Sequence, residues 1–143
     1  MSSQQLGSMR CKSLNLDTPK ILEGIIVYVI DDDAAIRESI GVVLEANGAT
    51  VMLLRGVGET REIPIDNQHG CLLIDMNLLD GLGPSLLTEL RAEGISAPAI
   101  LMTGMIEPRH REIAKFLQVA IMEKPVDGDD VAIELAALMA REP

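Results

Sequence analysis

Short apolar runs that break off at charged residues alternate with segments of helical periodicity along this chain. Residues 25–30 (Ile-Ile-Val-Tyr-Val-Ile) run into Asp31, Asp32 and Asp33, residues 71–74 run into Asp75, and residues 119–122 run into Glu123, Lys124 and Pro125. Short apolar runs with helical segments between them read as buried parallel strands. The pattern predicts strands over about 25–30, 50–54, 71–74, 99–102 and 119–122. The first helix is predicted over 34–46, where Ile36, Ile40, Val43, Leu44 and Ala46 share one face; Asp33 caps it and Gly48 ends it. The stretch 56–69 is weak, and Pro64 limits any helix there. Further helices are predicted from Pro84 to near Gly94, over 108–117, and over 129–141, the last capped by Asp127 or Asp129.

Strands alternating with helices predict an α/β fold, a three-layer α/β/α sandwich around a five-stranded parallel sheet. Right-handed crossovers and an early switch point favour the strand order 2-1-3-4-5. In such a sheet, chemistry gathers in the crevice at the carboxyl ends of the strands. Asp31 and Asp32, Asp75 and Thr103 then converge on one side, with Lys124 beside them.

Composition narrows the class. A chain of 143 residues suits one domain, and 48% apolar residues allow a substantial core. Its only aromatics are Tyr28 and Phe116, so that core is aliphatic and rich in methionine. A formal net charge of -10 argues against binding of nucleic acid or anionic lipid by this chain. No stretch approaches the ~18 apolar residues of a membrane span, and the N-terminus lacks a secretory apolar region. A cytoplasmic location is the expectation. Cys11 and Cys71 fit neither a metal spacing nor a disulfide framework. Residues 1–24 are polar and aperiodic and are expected to be a flexible N-terminal extension before a domain over 25–143. One local turn is expected in that extension, with Thr18 as cap, Pro19 at the first helical position and Gly24 as the stop.

Taken singly, each aspartate also suits a turn or a helix cap. Taken together they pose an electrostatic problem. Two unit charges ~5 Å apart at an effective dielectric of ~20 repel by about 3 kcal/mol. Lys124 supplies one positive charge, and a divalent ion could supply two more. Oxygen ligands without Cys or His favour Mg²⁺ over zinc. A carboxylate nucleophile, a metal, an ammonium group and the Thr103 hydroxyl are the parts that position a phosphoryl group in flight.

With these residues in that order, the chain resembles the receiver domains of two-component response regulators, the CheY-like superfamily, over roughly residues 25–141. The matching elements are Asp31 and Asp32 after the first strand, Asp75 after the third, Thr103 with Gly104 after the fourth, and Lys124-Pro125 after the fifth. The loop from Asp75 to Gly83 resembles the loop that follows the phosphorylation site in that family. The resemblance implies that Asp75 accepts a phosphoryl group from a phosphohistidine on a sensor histidine kinase or a histidine phosphotransfer protein. It implies that Asp32, Asp75 and the backbone carbonyl of Asn77 bind Mg²⁺, with Asp31 acting mainly through a metal-bound water. Lys124 would pair with phosphoryl oxygens, Thr103 would turn its hydroxyl to the phosphate, Gly104 would keep the approach open, and Lys124-Pro125 would be a cis peptide. The chain would then be a signalling phosphoacceptor, with self-catalysed phosphotransfer and dephosphorylation as its only catalysis.

The sequence departs from the family pattern in places. Ile121 stands three residues before the lysine, where the family usually has an aromatic; a β-branched residue there suits packing against the fourth helix. Leu79 replaces the usual proline of the loop. The segment from Thr103 to Lys124 is about one residue short, so a short or displaced fourth helix is expected, and Met105 and Asn77 are expected to flank the water path to the acyl phosphate. His69 and His110 are read as surface residues, and Arg109 and Arg111 as a solvated face. The family's face of fourth helix, fifth strand and fifth helix could support output or a homodimer. No output domain is expected after residue 141, which fits a stand-alone receiver or one excised from a longer chain. Two other functions remain open at this point: a phosphorylation-independent docking or dimerisation module, and a Mg²⁺-dependent phosphohydrolase with an aspartate nucleophile. Asn77, where such hydrolases carry a second Asp, counts against the latter.

Overall fold

A computed structural model describes residues 20–141. Its elements are β1 (Ile26–Ile30), α1 (Ala34–Ala46), β2 (Thr50–Leu54), α2 (Val57–Arg61), β3 (Gly70–Asp75), β4 (Asn77–Leu78), β5 (Gly81–Leu82), α3 (Gly83–Ala92), β6 (Ala99–Thr103), α4 (Pro108–Leu117), β7 (Ala120–Glu123) and α5 (Gly128–Ala140). Five strands form a parallel sheet in the order β2-β1-β3-β6-β7. With the small antiparallel β4-β5 hairpin set aside, this is the expected order.

Alternating side chains of the central strands feed two separate cores. Tyr28 and Ile30 of β1, Leu72 and Ile74 of β3, and Leu101 of β6 meet Leu86, Leu87 and Leu90 of α3 on one face. Val27, Val29, Cys71, Leu73, Ile100 and Met102 meet Ile40 and Leu44 of α1 and Val131, Ala132 and Leu135 of α5 on the other. A strand buried on both faces must be apolar at every position, which is why the runs are continuous rather than alternating.

The caps follow the sequence. The Asp33 carboxylate accepts the Ala35 and Ile36 N–H groups at 2.9 and 3.2 Å, and Asp127 does the same for Asp129 and Asp130 at 2.8 and 3.2 Å. The weak stretch contains the five-residue α2, and α4 spans the predicted 108–117 without shortening. The Lys124-Pro125 peptide is cis.

Two differences stand out. Thr18 and Pro19 lie outside the described residues, but residues 20–24 form a turn that is packed rather than free. Leu22 is wholly buried in the α1/α5 core and its N–H donates to the Asn47 carbonyl at 2.9 Å. His69 is exposed as expected, whereas His110 is buried, contrary to the surface reading. The reason is local: His110 sits in the first turn of α4, and its Nδ1 accepts the Glu107 N–H at 3.0 Å. The side chain thereby satisfies an N–H group that the helix leaves without a partner.

Candidate functional site

Sheet register builds the site. Ile30 pairs with Ile74 across β1 and β3, so Asp31 and Asp75, each one residue further on, leave adjacent strands at the same level. Asp75 pairs with Met102, which puts Thr103 one step beyond it on β6. Thr103 pairs with Glu123, the last residue of β7, which puts Lys124 one step past the end of that strand. Residues far apart in sequence are therefore delivered to one rim by strand length alone.

The side chains meet there. One carboxylate oxygen from each of Asp31, Asp32 and Asp75 lies within 4.8 Å of the others. Lys124 Nζ donates to Asp31 Oδ2 at 2.9 Å and to Asp75 Oδ2 at 3.1 Å. Asp31 is wholly buried and Asp75 nearly so, while Asp32 is half-buried. Three further oxygens accept backbone N–H groups: Asp31 Oδ1 from Asp33 at 2.9 Å, Asp75 Oδ1 from Asn77 at 3.2 Å, and Asp32 Oδ2 from Leu79 at 3.0 Å.

Burial pushes the Asp75 carboxyl above the usual aspartate range, and the nearby Asp31 charge adds to this. The Asn77 N–H and the Lys124 ammonium only partly offset that rise. Burial also works against the Lys124 charge, but its hydrogen bonds to Asp31 and Asp75 and their charges outweigh it, so the ammonium is held above the ordinary lysine range. With all three carboxylates ionised against one ammonium, the cluster keeps two uncompensated negative charges. An oxygen-only donor set with that excess suits a hard divalent cation.

Of the residues singled out from sequence, Asp31, Asp32, Asp75 and Lys124 come into direct contact or close approach. The Thr103 hydroxyl donates to the Met105 carbonyl at 3.3 Å, within the loop that leads to α4. A Cβ built on Gly104 meets no atom within 4 Å, so the space beside Thr103 is open. Asn77 is exposed on β4, and its contact with Asp75 runs through its N–H. Ile121 pairs with Leu101 and packs against the same core as Ile113 and Leu117 of α4.

Sequence reasoning missed several supporting contacts. Arg37 donates from its guanidinium to the Asp31 carbonyl at 2.7 Å; its position on the first turn of α1 was the available signal. Glu123 Oε1 accepts the Ile106 N–H at 3.3 Å and so ties the loop after Thr103 to β7. Asp80, at the hairpin tip, accepts the Val57 and Gly58 N–H groups at 2.9 and 3.0 Å. No periodicity marks such loop contacts.

The comparisons with known proteins agree on the fold and the family. The family model described as "Response regulator receiver domain" matches residues 27–136. Over 120 residues the chain is 32% identical to the transcriptional regulatory protein FixJ of Azorhizobium caulinodans, covering 83% of this chain and 57% of that protein. Over 121 residues it is 33% identical to the C4-dicarboxylate transport transcriptional regulatory protein DctR of Rhodobacter capsulatus, covering 81% and 61%. The chain thus spans little more than half the length of these relatives. Among solved structures, the non-phosphorylated HemR receiver domain of Leptospira biflexa superposes with a TM-score of 0.74 at 19% identity, covering 83% of this chain and 97% of that one. The match of the family model across most of the sequence, together with a sheet whose register brings Asp31, Asp75 and Lys124 to one rim, shows that this chain belongs to the response regulator receiver domain family.

Proposed function

We propose that the chain is a phosphoacceptor switch with Asp75 as its nucleophile. The observation that carries this reading is the convergence of Asp31, Asp32, Asp75 and Lys124 at one sheet edge, next to the open space over Gly104. An Asp75 oxygen attacks the phosphorus of a phosphohistidine on a histidine kinase or phosphotransfer protein. The phosphorus–nitrogen bond breaks, the imidazole leaves, and an acyl phosphate forms. Asp32, Asp75 and the Asn77 carbonyl are the groups that would hold Mg²⁺, with Asp31 beside them. The ion would supply positive charge to the phosphoryl oxygens. Lys124 exchanges its bond to Asp75 Oδ2 for one to a phosphoryl oxygen and keeps its bond to Asp31.

The same reading gives a signal. Thr103 leaves the Met105 carbonyl to donate to the phosphoryl group, which frees the loop that opens α4. Ile121 packs against the core beside α4 and has no ring to report that movement, so output runs through the loop and α4 rather than through an aromatic on β7. Action in the cytoplasm, and a downstream segment or partner that reads this face, complete the proposal.

Beryllofluoride with Mg²⁺ tests it, followed by amide resonances. The reading expects shifts at residues 103–107 and around Asp75 that Asp75→Ala abolishes. A spectrum unchanged in the wild-type protein favours instead a docking module that works without phosphorylation.

A further inference from the structure

Asp80 stands outside the acidic cluster, yet its carboxylate reaches a different element. Its two oxygens accept the Val57 and Gly58 N–H groups at 2.9 and 3.0 Å. Those groups open α2, where the cap position is Gly56 and offers no side chain to satisfy them. The two N–H groups hold the exposed Asp80 carboxyl below the usual aspartate range, so it stays ionised. Leu79, the residue before it, donates its own N–H to Asp32 Oδ2 at 3.0 Å. Leu79 is 90% exposed, so what this residue offers the fold at that point is its backbone N–H. A proline there has no such donor.

We infer that Asp80 is a positioning residue for the metal-binding carboxylate of Asp32: by clamping the β4–β5 hairpin to α2 it fixes the Leu79 N–H on one oxygen of Asp32 and leaves the other for the cation. The inference rests on the Mg²⁺ reading proposed above for the cluster. Gly56 belongs to the same device. Its φ of 176° is extended backbone open to any residue, and a Cβ there would lie 2.5 Å from Asp80 Oδ1. A side chain at 56 therefore dislodges the clamp while Asp80 itself is unchanged. A Cβ on Gly58 would lie 3.5 Å from Asp80 Oδ2, an ordinary contact, and serves as the control.

Calorimetric titration of the metal-free protein with Mg²⁺ tests the inference, with amide exchange at Leu79 measured before metal is added. Asp80→Asn, Leu79→Pro and Gly56→Ala are expected to weaken Mg²⁺ binding by roughly tenfold, the usual scale for losing an outer partner of a ligand. Gly58→Ala is expected to bind as the wild type does. Asp80→Asn and Gly56→Ala should also lose exchange protection at Leu79. Leu79→Pro keeps Asp80 on α2, so it reports the lost N–H even where the other two variants fold poorly. Wild-type binding with every variant equal overturns the inference alone. Wild-type protein that takes up no Mg²⁺ contradicts the proposed metal site and the inference with it.

Discussion

Lys124 Nζ lies 2.9 Å from Oδ2 of Asp31, a carboxylate with no exposed surface at all. The two residues directly follow β1 and β7, strands that do not touch each other in the sheet. A charge buried this deeply is tolerated because an opposite charge and hydrogen bonds meet it. Here the partners are Lys124 and the Asp33 N–H. Lys124→Met keeps the apolar stem and removes the charge. It is expected to cost about 3 kcal/mol in denaturant unfolding without metal, since it leaves a buried carboxylate uncompensated. Added Mg²⁺ should restore part of the loss.

Asp75 carries the opposite expectation. Its carboxyl is raised by burial, so the folded chain holds that proton more tightly than the unfolded chain does. A raised acid contributes stability that is fully present below its unfolded pKa and lost as pH rises through its folded pKa. Near neutral pH the ionised Asp75 is therefore a burden on the metal-free protein. Asp75→Asn is expected to raise stability there, read as a higher Tm than the wild type. The gap should close as pH falls toward the ordinary aspartate range. Thermal scans in chelator across that range check the sign.

Two glycines near the site separate folding from chemistry. A Cβ on Gly83 would land on the Asp75 carbonyl oxygen, and the Gly83 N–H donates to the Met76 carbonyl at 2.9 Å. Gly83→Ala is expected to lose about 2 kcal/mol or more, because backbone rather than a flexible side chain must give way. Gly104→Ala meets no atom within 4 Å and should change stability by less than about 0.5 kcal/mol. Its methyl group intrudes on the open space beside Thr103, so phosphorylation should slow. Unfolding curves and acetyl phosphate kinetics on the same two variants distinguish the effects.

Cys71 lies wholly buried in β3, where burial pushes its thiol up to about 12. The reactive thiolate is then scarce and out of reach. In a Cys11→Ser background, alkylation of Cys71 near pH 8 should proceed only as fast as the chain opens, and denaturant should release it. Rapid labelling of the native protein would contradict the two-sided burial of β3.

Much of this was legible in the sequence because both faces of the sheet are covered. Full burial makes runs such as 71–74 uninterrupted, and their ends mark the rim where Asp31, Asp75 and Lys124 meet. The cap at Asp33 was legible because a carboxylate before a helical run has one obvious use, whereas the sequence left Asp127 and Asp129 open and the structure selects Asp127. His110 was misread because its polarity suggested solvent, whereas a backbone N–H three residues earlier gives the imidazole a reason to be buried. The β4–β5 hairpin and the Asp80 clamp were invisible because they depend on how one loop lies across another, which carries no period. Leu79 was noticed as a missing proline. The N–H it supplies to Asp32 became apparent only once the loop was placed in space.

Intact mass after incubation with acetyl phosphate and Mg²⁺ reads phosphorylation of Asp75 itself. A phosphoacceptor at Asp75 gains one phosphoryl group per chain, absent when the metal is chelated and absent in Asp75→Asn. An unmodified wild-type protein, or equal incorporation in Asp75→Asn, would contradict it.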